Sequence, residues 1–482
     1  MIPETETARE ALGSLRHPQE PTLRRTATLL TALVVVVATG CGDAATTTTT
    51  TPATSTTAVL VTTTSTPPDD GSEPDVQNAI GWFVSLLNGT DISAEEYQAR
   101  FSEEFRAQVA FDSAFQSVLR QFRPSGPYRI VETNGTGARG DAIIEAADGT
   151  QLRVVAEVDA HDVVTTLFIQ PTEQPELENP PDTIDEAFSR LSDMGELRAI
   201  TAEVVDGACM TVNTVSPDEP APLGSAFKLY VLATLGDAVE TGEIDWDDDV
   251  IIRDELKSLP TGQLQDRPDG DVVSVLEAAQ LMISISDNTA ADLLIDRLGR
   301  ETVEATQAEY GNTKPQLNTP FLTTREFAAL KIGPGSGLRD PQWIEGDEAQ
   351  RRALLAQLAD ITADDLPVTD WVDPIDPDLV EWFASPSDLC TLAIGMADLA
   401  SAVPEVRDIL EINPGVPPEE GKWDRVWFKG GSEPGLVAAW WVTEANGRVF
   451  VTAGSVVDPD TVIDSNEAIL LFAAARDLLS PR

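Results

Sequence analysis

The feature that most constrains the fold is a change of pattern at Ile184. From there Glu186 to Met194 has helical spacing and Ala199 to Thr214 reads as a strand hairpin. A long helical middle follows, strand patterning returns over Trp427 to Val442 and Arg448 to Val457, and Ser465 to Leu479 closes with a helix. Strands at the two ends of one domain bury their apolar faces by pairing with each other. The helical middle is then an insertion into a single sheet, and the domain spans 184–482.

A chain of 482 residues is too long for one ordinary core, so a second domain is expected upstream. Residues 75–172 supply it. Val76 to Leu87 and Ala94 to Phe122 have helical spacing. Four strand patterns follow: Tyr128 to Glu132, Ala142 to Ala146, Gln151 to Val158 and Val163 to Gln170. Asn134-Gly135 and Asp148-Gly149 are placed as hairpin turns. The expected form is an α+β, cone-like domain of the cystatin or NTF2 kind, and no catalytic constellation is visible in it. Pro175, Pro180 and Pro181 mark a linker over 173–183.

The first 40 residues read as an export signal. Arg24-Arg25 precede a short apolar run, Thr26 to Val37, which is too short to span a bilayer comfortably. Ala38-Thr39-Gly40-Cys41 then has small residues before a cysteine. This resembles a bacterial lipobox and implies a lipid on Cys41 as the membrane anchor, hence an extracytoplasmic, lipid-anchored protein. Residues 41–74, with six consecutive threonines at Thr46–Thr51 followed by Thr, Pro and Asp, cannot bury a core and read as a disordered tether.

Composition removes several classes of function. A formal charge of −49 argues against nucleic acid as a partner and against an electrostatic grip on anionic lipid. The only histidines are His17, in the leader, and His161, alone in an acidic stretch. A Ser-His-Asp triad or a catalytic zinc site is therefore poorly supplied. Cys209 and Cys390 form no CxxC motif. They either pair or sit as two buried small hydrophobes.

Three short motifs carry the chemistry. In Ser225-Ala-Phe-Lys228, the Ser and Lys share one face at the start of a helix. A lysine buried there loses proton affinity and can serve as a base for the serine without histidine. Ser286-Asp287-Asn288 lies where one apolar helix ends and another begins. Lys429-Gly430-Gly431-Ser432 follows a strand pattern, and its glycines let a substrate lie against the strand edge. Singly, each has a plain structural reading: a helix cap with a surface lysine, an N-cap, a glycine turn.

Together and in this order they resemble S-x-x-K, S-D-N and K-T-G, the motif set of class A β-lactamases and related penicillin-recognising enzymes. Leu322-Thr-Thr-Arg-Glu-Phe-Ala-Ala-Leu330 is also similar to the segment after that family's Ω-loop. The resemblance implies an α/β β-lactamase/transpeptidase-like domain: an antiparallel sheet with an inserted all-α subdomain, and no metal or cofactor. It implies Ser225 as acylating nucleophile, Lys228 as base, Ser286 as proton relay, and Lys429 and Asn288 as substrate-positioning groups. The backbone N–H groups of Ser225 and Ser432 would form the oxyanion hole, with Gly431 beside the substrate.

The sequence departs from that pattern at two places. Lys314 of Lys314-Pro-Gln-Leu-Asn318 stands where the family has the glutamate that activates the deacylating water, and Glu309 and Glu326 are expected to face solvent or cap a helix. Gly430 replaces the K-T-G threonine. Extra length lies between Gly333 and Trp382, and Trp423, Trp427, Trp440 and Trp441 surround the third motif, most of them as expected core and one or two as candidates for a groove. With the tether and the upstream domain, these departures resemble a narrower group: LpqF-type actinobacterial lipoproteins and the esterase-like protein of clavulanic acid gene clusters. The implied function is an envelope serine acyl-hydrolase acting on an ester, amide or β-lactam, a small molecule or cell-wall substrate, with slow deacylation. The alternatives are a non-catalytic penicillin- or peptidoglycan-binding lipoprotein and a D,D-carboxypeptidase-like enzyme.

Overall fold

The computed structural model describes residues 75–481 apart from 103–104, 107–108, 110, 112–114, 148 and 173–175. The signal segment, the tether and Cys41 lie outside the described residues.

Upstream, four strands form an antiparallel meander in the order β1 (Arg129–Asn134), β2 (Arg139–Glu145), β3 (Gln151–Val158) and β4 (Val164–Pro171). β3 alternates buried and half-exposed side chains along its length. Such alternation lets one face bury while the other meets water. The helix Val76–Leu87 buries Ile80, Phe83, Val84 and Leu87 against that face. Asp75 caps it, its carboxylate accepting from the Gln77 N–H. The helix expected from Ala94 to Phe122 is instead split, with separate helices at Ala94–Arg100 and Gln116–Phe122. Phe101 leaves helical conformation, bridges to Val164, and packs among Tyr97, Phe105 and Phe115. Burial of this aromatic cluster outweighs continued helical periodicity.

Downstream, β5 (Glu196–Val205) and β6 (Ala208–Val215) come from the start of the domain, and β11 (Arg425–Glu433), β12 (Leu436–Ala445) and β13 (Arg448–Val457) from its end. They form one antiparallel sheet in the order β11-β12-β13-β5-β6, with β13 paired to β5 from Val449↔Val204 to Val457↔Glu196. The two ends of the domain thus meet in the middle of the sheet, as the strand pattern requires. β12 is buried on both faces, and its consecutive Trp440 and Trp441 enter opposite layers. Trp441 packs with Phe188, Leu191, Leu471 and Phe472 of the helices Ile184–Met194 and Ser465–Leu478. Trp440 joins the core of the helical insertion. Trp423 and Trp427 are also buried, so all four of these tryptophans are core.

The insertion holds a small β8 (Asp249–Ile251)–β9 (Val272–Ser274) ladder and the helices Lys228–Glu240, Val275–Ser284, Asn288–Leu298 and Pro386–Ala402 among others. A two-residue ladder joins β7 (Ala221–Pro222) to β10 (Phe383–Ala384). It brings the far end of the extra Gly333–Trp382 length directly under the segment before Ser225.

Cys209 of β6 and Cys390 of the helix Pro386–Ala402 form a disulfide, which ties the sheet edge to the insertion across 181 residues of sequence. Closing so long a loop removes much denatured-state entropy. Replacing both cysteines by alanine is expected to lower the unfolding free energy by about 2–5 kcal/mol, read as a lower midpoint in denaturant melts.

Candidate active site

Ser225 lies in a single 3-10 turn, Gly224–Phe227, which runs into the helix Lys228–Glu240. Lys228 begins that helix and is fully buried. Its Nζ lies 3.3 Å from Ser225 Oγ, 3.0 Å from Ser286 Oγ, 2.6 Å from the Ser286 carbonyl oxygen and 2.6 Å from Asn288 Oδ1. The amide of Asn288 is oriented, because its Nδ2 donates to the Leu259 carbonyl at 2.9 Å. Two of the four neighbours of Lys228 are therefore pure acceptors. A neutral amine has two N–H groups to give them, and its lone pair is left for a hydroxyl proton.

Burial pushes the Lys228 amine down to about 7, against the opposing pull of Asp287 and Asp292. Those two carboxyls are themselves buried, and burial raises both, Asp292 to about 6. Asp287 caps the helix Asn288–Leu298 through the Ala290 N–H at 2.8 Å and accepts from the backbone of Gln263 and Leu264. Asp292 holds the start of the helix Thr324–Lys331 through Thr324 and Arg325. These acids organise helix ends around the lysine.

Ser286 has φ +60°, a left-handed conformation that costs a non-glycine residue about 1 kcal/mol or more. Its carbonyl is held by Lys228 and by the Thr261 hydroxyl at 2.8 Å. Its Oγ sits between two amines, Lys228 and Lys429, the latter at 3.1 Å. Lys429, on edge strand β11, is buried and also donates to the Gly430 carbonyl at 2.7 Å. Burial, and then the nearby Lys228 charge, push its amine well below the ordinary lysine range.

The turn and the edge strand touch through glycines. A Cβ on Gly431 would lie 2.4 Å from the Leu223 carbonyl oxygen and 2.4 Å from the Ser225 nitrogen. A Cβ on Gly224, at φ +47°, would lie 3.0 Å from the Ser432 nitrogen. The N–H-bearing atoms of Ser225 and Ser432 are thus brought to one place by a contact that only glycine permits. Gly431→Ala is expected to force backbone apart and lower stability by about 1–3 kcal/mol in denaturant melts.

The structure brings together Ser225, Lys228, Ser286, Asn288, Lys429, Gly431 and Ser432. Lys314 is half-buried at the head of the short Pro315–Asn318 turn, and Asn318 is engaged elsewhere, bonding Gln307 and both backbone groups of Phe383. Glu326 closes a capping box and pairs with Arg300, while Glu309 and His161 are exposed. Three residues near the turn escape sequence reading: Glu381, Lys331 and Glu433. Glu381 accepts from the Gly224 N–H at 3.0 Å, and Lys331 pairs with Glu433 at 2.5 Å; Glu381 and Lys331 are buried, and the Glu433 side chain is 4% exposed. One signal pointed there. The chain has six lysines, and three of them, Lys228, Lys331 and Lys429, are buried around this turn.

Residues 198–354 match the family model described as the beta-lactamase enzyme family, and residues 72–164 match one described as the ORF 12 gene product N-terminal family. No curated protein matches the chain. Among solved structures, a mutant of PBP-A as an acyl-enzyme complex with penicillin G is 18% identical, with 62% of this chain and 97% of that chain covered and a TM-score of 0.42. A β-lactamase from Sphaerobacter thermophilus is 19% identical over 61% of this chain and 95% of that chain, TM-score 0.42. An ancestral class A β-lactamase is 19% identical over 62% and 99%, TM-score 0.42. The residues that match the beta-lactamase enzyme family model carry Ser225, Lys228, Ser286 and Asn288, so the similarity to that family falls on the part of the chain that holds most of this site.

Proposed function

We propose that this chain is an envelope-anchored serine acyl-hydrolase that forms an acyl-enzyme at Ser225. The observation that carries the reading is the buried Lys228 amine beside the Ser225 hydroxyl, with its other neighbours arranged to occupy its N–H groups. Lys228 takes the Ser225 proton as Oγ attacks the acyl carbonyl. The Ser225 and Ser432 N–H groups stabilise the oxyanion. Ser286, between the two amines, passes the proton to the departing alkoxide, amine or ring nitrogen, and the carbon–heteroatom bond breaks. Asn288, Gly431 and Lys429 orient the substrate.

Completion of the cycle needs a water activated beside the ester. The stretch that supplies a carboxylate for this in class A enzymes has Lys314 here, so deacylation is slow. This supports kinship with LpqF-type lipoproteins and the clavulanic-cluster esterase-like protein, as does the pairing of an ORF 12-type N-terminal match with a β-lactamase-like one. The chain is anchored outside the cytoplasm by a lipid on Cys41, with the N-terminal residues as signal and tether. Lys314 also favours a second reading, a penicillin- or peptidoglycan-binding protein or D,D-carboxypeptidase-like enzyme.

Intact-mass measurement after mixing with a fluorescent penicillin, and separately with a chromogenic ester, tests the proposal. The expected result is a persistent penicillin adduct and slow ester turnover, both abolished in Ser225→Ala. Ester turnover that survives Ser225→Ala overturns the nucleophile assignment, and absence of both adduct and turnover favours binding alone. Because the lysine must be neutral to accept a proton, the acylation rate is expected to rise about tenfold per pH unit up to about pH 7. Lys228→Met is expected to remove that rise along with at least about 100-fold of the rate.

A further inference from the structure

Behind the nucleophile turn lies a buried cluster that the proposed chemistry does not use. Glu381, in the residues just before β10, accepts from the Gly224 and Trp382 N–H groups through Oε2, at 3.0 and 2.9 Å. Its Oε1 is buried with no partner. Glu433 follows Ser432 on β11. One of its oxygens pairs with Lys331, and its Oε2 is likewise buried without a partner. Lys331 is fully buried, with its ammonium over the rings of Phe327 and Trp371 at 4.6 and 5.6 Å.

The charges do not balance. Two buried carboxylates face one buried ammonium, and Asp376 adds a further negative charge beside Glu433. One added proton makes the Glu381–Lys331–Glu433 set neutral. It would also give an unpartnered carboxyl oxygen a hydrogen to donate, which buried polar atoms require. Burial holds both carboxyls above the ordinary range, with the charge of Glu433 adding to the effect at Glu381 and that of Asp376 at Glu433, and Lys331 pulling the other way.

The placement gives this proton a consequence. Glu381 is tied to Gly224, one residue before Ser225, and Glu433 is one residue after Ser432. The two acids therefore stand on the two segments whose N–H groups form the proposed oxyanion hole, and those segments touch at Gly224 and Gly431. We propose that Glu381 is a positioning residue for the reaction at Ser225: with Lys331 and Glu433 it forms a buried clamp that shares one proton and sets the gap between the Ser225 and Ser432 N–H groups. This rests on the acyl-hydrolase reading. Loss of the proton leaves two carboxylates repelling each other across the contact, and the hole widens.

Two measurements on the full chain test this. The first is the pH profile of Ser225 labelling by a fluorescent penicillin from about pH 5 to about pH 10. Wild type is expected to lose labelling rate on the alkaline side. Glu381→Gln keeps a carbonyl oxygen for the two N–H groups but cannot ionise. It should go on labelling where wild type declines, so that the alkaline break moves up by about one pH unit or more. Glu381→Ala leaves the Gly224 and Trp382 N–H groups unpaired and should lower the rate about tenfold at every pH. An alkaline limb identical in wild type and Glu381→Gln overturns the proposal.

The second measurement is unfolding stability over the same pH range. A carboxyl whose folded-state value is raised binds more protons folded than unfolded, so its contribution is present below the ordinary carboxylate range and is lost as pH rises to the raised value. Wild type should lose stability relative to Glu381→Gln across that window, and parallel curves would overturn the shared proton. If wild type takes no label at any pH, the acyl-hydrolase reading and the positioning role fall together. The stability difference then still reports whether the cluster holds its proton.

Discussion

The site depends on one buried amine. Lys228 has lost its water, and four oxygens from two other segments replace it: Ser225, Ser286 twice, and Asn288. Removing an ammonium from water is costly unless its neighbours compensate or it gives up its proton. Here the compensation is partial and the amine is depressed to about 7. Much nearby structure serves this arrangement. Ser286 accepts a left-handed backbone to present its carbonyl. Asp287 and Asp292 are spent on backbone N–H groups that fix the ends of the helices around it.

The second constraint is steric. A β-sheet edge and a helical turn can approach this closely only where side chains are absent, and Gly224 and Gly431 supply that absence. The sheet is assembled from both ends of the domain, so the edge strand carrying Lys429–Ser432 lies far along the chain from the turn it touches. The extra Gly333–Trp382 length is part of this support. Trp382 stacks on Phe227 at 3.8 Å, its carbonyl takes the Leu223 N–H, and Glu381 takes the Gly224 N–H. What reads as an insertion in the sequence is the underside of the Ser225 turn.

The acidity of the chain has a complement inside it. Acidic residues outnumber basic ones by 81 to 32, yet half of the six lysines are buried around Ser225. A surface rich in carboxylates keeps the protein in solution. The interior lysines have settings that surface lysines lack: one amine beside the Ser225 hydroxyl, one on the sheet edge, one paired with Glu433.

The sequence by itself determined the periodicities, and from them the single sheet closed from both ends, the meander upstream and the grouping of Ser225, Lys228, Ser286, Asn288 and Lys429. These were legible because each motif is local: a turn of helix, a helix junction and a strand are all set by residues a few positions apart. Only the tertiary structure decided the rest. It broke the Ala94–Phe122 helix at Phe101 because an aromatic cluster buries more than a continued helix would. It paired Cys209 with Cys390, and it placed Trp423, Trp427, Trp440 and Trp441 in the core. It also set Glu381 and Glu433 against Lys331. Glu381 and Glu433 stand 52 positions apart in the chain, and no local pattern marks either. The β7–β10 ladder carries Glu381 to the Gly224 side of the close glycine contact, and β11 carries Glu433 to the Ser432 side.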